Sequence, residues 1–105
     1  MRTLISRRFW FSAAHTIAAD AWCGERTHGH DFYLVVECVN RPDSWSAVTD
    51  LLFELNDRDL NKMVVGTEPS FDGIAAWVLE RLRLYLPSLR RVTVGARDIE
   101  ATVEV

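Results

Sequence analysis

The sequence predicts an α+β protein with a mainly antiparallel sheet. Alternating apolar stretches lie towards both ends of the chain, and helix-period stretches sit together between them. Strands and helices are therefore segregated rather than interleaved, which argues against a parallel βαβ sheet. The expected order is strand, strand, helical segment, helix, strand, strand. At 105 residues this is one domain, 1–105, and 49% apolar content is enough for a core.

Residues 3–15 alternate. Thr3, Ile5, Arg7, Phe9, Phe11, Ala13 and His15 share one parity, with Arg7 the charged intruder. A strand of that length is expected to twist, bend or carry a bulge. Residues 18–27 lack periodicity and read as a loop holding Trp22, Cys23, Glu25 and Arg26. The second strand runs from His28 to Val39, with His28, His30, Phe32, Leu34, Val36 and Cys38 on one face. Residues 40–46, containing Asn-Arg-Pro-Asp-Ser, form a loop. Ala47 to Asn61 reads as a short helix through Leu51, Leu52, Leu55 and Asp59, ended by Asn61. Ser70 is a strong N-cap candidate, and Asp72 in the first turn complements the helix dipole. Phe71, Ile74, Ala75, Val78, Leu82 and Leu86 then keep helical spacing until Pro87. Arg90–Ala96 is the third strand, residues 98–100 a turn, and Ala101–Val105 the fourth strand. One helical layer covers one face of such a sheet. The other face is expected to meet a second subunit.

Composition narrows the function. A net charge of −3 gives no global attraction to nucleic acid or to an anionic membrane. Two cysteines are too few for a disulfide framework and suit free thiols in a reducing, cytoplasmic setting. Ser6-Arg7-Arg8-Phe9 faintly resembles an export signal, but the apolar run behind it spans only Phe9 to Ala14. No run reaches membrane-spanning length.

The chain's three histidines are His15, His28 and His30. His28 and His30 lie two apart on a strand, so both side chains take the same face, and His15 ends the apolar parity of the first strand. Two neighbouring strands can deliver three imidazoles to one point. Three protein ligands leave zinc an open fourth position, as in catalytic sites, although imidazole also suits copper, nickel or iron. A histidine taken singly is more often a surface or hydrogen-bonded residue, and His-x-His is a signal with frequent false positives.

Further motifs join this one. Phe11-Ser12-Ala13-Ala14-His15 is followed by Cys23, by His28-Gly29-His30, by Val48-Thr49-Asp50, by Leu60-Asn61, and by Pro69-Ser70 opening a helix that carries Trp77. In that order they resemble the 6-pyruvoyl-tetrahydropterin synthase and 6-carboxytetrahydropterin synthase family. The resemblance implies a tunnelling fold, with a four-stranded antiparallel sheet and helices on one face. It implies homo-oligomers, trimers or hexamers, with active sites between subunits. It also implies zinc held by His15, His28 and His30, Cys23 as general base, and dihydroneopterin triphosphate as the small-molecule substrate. The chemistry is consistent: zinc acidifies the C–H beside a bound oxygen, and a thiol near a divalent cation has a lowered pKa.

The sequence departs from that family in three places. Its catalytic histidine falls on Asp57 and the aspartate partner on Asn56, leaving Asp57 as an auxiliary acid or base. Its pterin-anchoring glutamate falls on Ala96 or Arg97, with Glu100 a substitute if the loop bulges and Arg97 suited to carboxylate or phosphate. Its first helix is shortened after Asp50. The expected function is a zinc-dependent lyase that abstracts a proton beside a zinc-bound oxygen, with elimination or retro-aldol cleavage of a non-standard, even non-pterin, polar substrate. The alternatives are a standard 6-carboxytetrahydropterin synthase and a catalytically silent metal-binding protein on the same scaffold.

Overall fold

The computed structural model describes residues 1–15, 28–66 and 68–105. Strand β1 is Leu4–His15 and β2 is His28–Val39. Helix α1 is Ser46–Leu55, β3 is Arg58–Asp59, α2 is Leu60–Met63 and α3 is Phe71–Leu82. Strands β4, Leu89–Ala96, and β5, Ile99–Glu104, complete the chain. The sheet order is β3-β1-β2-β4-β5.

The α+β class and the segregation of helices from the four long strands are as expected. The sheet itself is mixed and has five strands rather than four, because the two-residue β3 adds in parallel to β1 at Ala13 and Ala14. β1 and β2 pair without interruption from Leu4↔Val39 to His15↔His28, so of the alternatives for so long a strand a bulge is not the one used in that pairing. The irregularity lies instead between Glu37 and Cys38, where β2 meets β4.

The segment expected as one helix to Asn61 breaks early. Asp57 takes a φ of 61°, which aspartate tolerates better than most side chains. Its amide donates to the Ser12 carbonyl, and the Asn56 side chain accepts from the Ser12 amide at 2.9 Å. These bonds pull the chain out of α1 and onto β1, and Asp59 then caps α2 by accepting from the Asn61 amide at 3.0 Å. Asn61 thus lies in the first turn of a helix instead of ending one. α3 begins where expected, with the Ser70 Oγ accepting from the Gly73 amide at 3.3 Å. It ends at Leu82, before Leu86, and the turn between β4 and β5 is shorter than expected because β5 starts at Ile99.

One parity of the sheet builds the core. Phe9, Phe11, Phe32, Leu34, Val36, Val92 and Val94 are buried against Val48, Leu51 and Leu55 of α1 and Ile74, Val78 and Leu82 of α3. Each such side chain contributes ~1.5–3 kcal/mol relative to exposure. The opposite parity carries a polar and aromatic surface. Trp10 meets Tyr33 edge-on at 5.7 Å, the Arg8 guanidinium lies 4.8 Å from the Tyr33 ring, and Arg91 bridges Glu37 and Glu104. Tyr33 lies across Gly95, where an added Cβ would come within 2.5 Å of its ring.

Candidate functional site

The apolar parity of β1 and β2 ends in histidines. Ala13 pairs with His30 and His15 with His28, so His15 and His30 are diagonal neighbours on one face. Their ring centroids are 4.9 Å apart at an interplanar angle of 77°. Phe32 stands 5.4 Å from His15 and 5.3 Å from His30, and Phe71 of α3 stands 6.3 and 6.1 Å away. His15 is fully buried, and its Nδ1 lies 2.7 Å from the Pro69 carbonyl. A carbonyl can only accept, so Nδ1 carries the proton and Nε2 presents the lone pair. A backbone carbonyl on the far nitrogen is the usual way a protein orients a metal-binding imidazole.

These two residues fit a metal in ring spacing and in the tautomer His15 must adopt. Among the described residues, no group of three His, Cys, Asp or Glu converges on one point. The His28 side chain and the whole of Cys23 lie outside what the structure describes, so the expected three-histidine set is represented by two members.

Beside this pair is a cavity of about 760 Å³ lined by Ser12, Ala13, Ala14, Gly29, His30, Asp31, Asp57, Arg58, Asp59, Ala96 and Arg97. Two expected site residues, Asp57 and Arg97, therefore share its wall. Both have left-handed backbones, with φ of 61° and 57°. Glu100 is placed differently. It faces Gly95 across the β4–β5 pair and accepts the Tyr33 hydroxyl at 2.7 Å, outside the cavity wall. That bond holds the Tyr33 phenol above its ordinary pKa, with burial and the Glu100 charge acting in the same direction and Arg8 opposing. Cys38 is buried in the core, as expected for a packing residue, and burial pushes its thiol up.

Asp31 and Arg58 were not singled out from the sequence, and Ser12 and Asn56 entered only as a motif member and as the position of a lost relay aspartate. Ser12 is joined three ways: its amide to Asn56, its carbonyl to Asp57, and its Oγ donating to Asp31 Oδ1 at 2.6 Å. The available signal was parity, because Ser12 and Asp31 face away from the core beside the histidine positions. The departure at Asn56 and Asp57 hid the connection, which depends on a break in α1 that periodicity does not reveal.

The sheet with helices on one face, closed at one end by an imidazole pair, defines a tunnelling-fold protein. The chain belongs to the 6-pyruvoyl tetrahydropterin synthase family, whose model matches residues 4–104. It is 32% identical over 96 residues to dihydroneopterin monophosphate aldolase of Pyrococcus furiosus, covering 83% of this chain and 81% of that one. Among solved structures, 6-pyruvoyl tetrahydropterin synthase of Caenorhabditis elegans superposes with a TM-score of 0.81 at 18% identity, over 100% of this chain and 96% of that chain. An uncharacterised protein of Wolinella succinogenes superposes with a TM-score of 0.75 at 15% identity, over 99% of this chain and 98% of that one.

Proposed function

We propose that this chain is a lyase-type enzyme of pterin metabolism that performs retro-aldol cleavage on the side chain of a phosphorylated dihydroneopterin, with the monophosphate as its preferred substrate. The observation that carries the reading is the imidazole pair of His15 and His30 beside a cavity walled by aspartates and arginines. Its 32% identity to a dihydroneopterin monophosphate aldolase supports the choice of reaction. The chain acts as a cytoplasmic homo-oligomer, a trimer or hexamer, completing its sites between subunits.

His15, His28 and His30 hold zinc in this reading. When bound, the ion supplies a Lewis acid that polarises a substrate oxygen. Cys23 takes the proton from the hydroxyl on the second side-chain carbon. That hydroxyl becomes a carbonyl as the bond between the first and second carbons breaks. The released electron pair passes into the conjugated ring, and an acid returns a proton to the first carbon. Asp57, on the cavity wall, is the candidate for that acid. Arg97 and Arg58 offer guanidinium groups to the phosphate. Glu100, bonded to Tyr33 outside this cavity wall, has no binding role in this reading.

The test is incubation of purified protein with dihydroneopterin monophosphate and, separately, with the triphosphate. The expected outcome is a hydroxymethyl-dihydropterin and a short phosphorylated hydroxyaldehyde from the monophosphate. Conversion of the triphosphate to 6-carboxytetrahydropterin would establish the synthase reading instead. A binding protein without catalysis is favoured by one feature: the Asn56 side chain, where the family carries a relay aspartate, is committed to the Ser12 amide. In that case Cys23→Ala would leave the protein's biological role intact.

A further inference from the structure

We propose that Asp31, held in place by Ser12, is the residue that recognises the hydrogen-bond-donating edge of a pterin-like ring. The inference rests on the pterin reading above and identifies how the ring is read. A pterin displays an exocyclic amino group next to a ring N–H, two donors pointing the same way. A carboxylate with one oxygen for each donor, or one shared oxygen, is the natural complement.

The cavity wall carries three carboxylates: Asp31, Asp57 and Asp59. Asp59 already spends Oδ1 on the Asn61 amide as the cap of α2. Asp57 sits exposed on the turn after α1, and only its backbone amide is tied down. Asp31 stands on a long central strand, and its Oδ1 accepts the Ser12 hydroxyl at 2.6 Å. Ser12 is itself fixed on both backbone groups, by Asn56 and by Asp57. Asp31 and Asp59 each spend one oxygen on an internal bond, but Asp59 sits on the two-residue β3 and serves as a helix cap, whereas Asp31 is set in the twelve-residue β2 and oriented by a side chain that is itself fixed. Preorganisation of this kind is what turns a hydrogen bond into discrimination, since a rival lacking the donors leaves the carboxylate unsatisfied. Ser12 is a positioning residue that acts through Asp31.

Neopterin binding, followed by the ligand's fluorescence, tests the assignment without requiring turnover. The comparison probe is the lumazine analogue, in which an oxo group replaces the exocyclic amine. Wild-type protein is expected to prefer neopterin. Asp31→Asn is expected to weaken neopterin binding by about ten- to a hundredfold, as for loss of a charged hydrogen bond, and to erase the preference over the lumazine. Ser12→Ala is expected to fall between the two. Thermal unfolding of each variant separates this from misfolding; if Asp31→Asn fails to fold, Asp31→Ser with the same pair of probes gives the answer. Neopterin affinity and preference both unchanged in the Asp31 variant overturn the proposal, as does wild-type protein that binds neither probe. Wild type that binds neopterin through Asp31 yet cleaves no dihydroneopterin phosphate supports the recognition and sinks the aldolase reading alone.

Discussion

Arg97 has a φ of 57° and lines the cavity. A left-handed backbone costs an ordinary residue roughly 1–2 kcal/mol, part of which glycine would return as unfolded-state entropy. Arg97→Gly is therefore expected to raise stability by about 0.5–1 kcal/mol in denaturant titration while raising KM for a phosphorylated substrate. Opposite movement of those two quantities marks a side chain kept for binding at the expense of the turn. Tyr33 gives a pH prediction. Its folded-state pKa lies above the ordinary 10.0, chiefly because of its bond to Glu100. Stability from that bond is complete below about 10, where both states keep the proton, and is lost as pH rises through the folded value. Tyr33→Phe is expected to flatten this alkaline fall in melting temperature. At Cys38, full burial and a raised pKa predict that a thiol reagent modifies it only after unfolding, read by mass spectrometry of the labelled peptide.

At the scale of elements, the long strands and α3 were legible because their signals are local. Phe9, Phe11, Ala13 and His15 alternate on β1, and Ser70 with Asp72 announces α3 three residues ahead of Gly73. Ser70→Ala should cost about 1 kcal/mol in urea unfolding, the usual worth of an N-cap. The pieces between α1 and α2 were not legible, because they depend on contacts with Ser12 at a separation of 44 residues. Periodicity cannot see an amide that leaves its helix to answer a distant strand. The candidate site was half legible for the same reason. The histidine parity shows in the residue order, whereas the bond from Ser12 to Asp31 requires knowing that β1 and β2 pair in that register. Gly95 gives a check on the outer surface. An added methyl meets both Tyr33 and Glu100, so Gly95→Ala should cost about 1–3 kcal/mol and free the Tyr33 hydroxyl.

At the scale of the whole molecule, the sheet formed by the described residues is open. Among the described residues, β5 is an edge, and β1 is covered on its outer side only at Ala13 and Ala14. The face away from the helices exposes Trp10 at 62%. Open edges and an aromatic face suit assembly with further copies of the chain. Light scattering on the purified protein is expected to give a mass several times 12.0 kDa. Trp10→Glu should shift it towards the single-chain value. No described helix is long and apolar enough to cross a membrane.

The tether between the His15 ring and the Pro69 carbonyl reaches further than the ring it orients. Pro69 immediately precedes the cap of α3, so whatever clamps that imidazole also quiets the first turn of the helix. Deuterium uptake at the Gly73 and Ile74 amides then becomes a gauge of occupancy, slowing when the histidines are engaged and quickening when they are stripped.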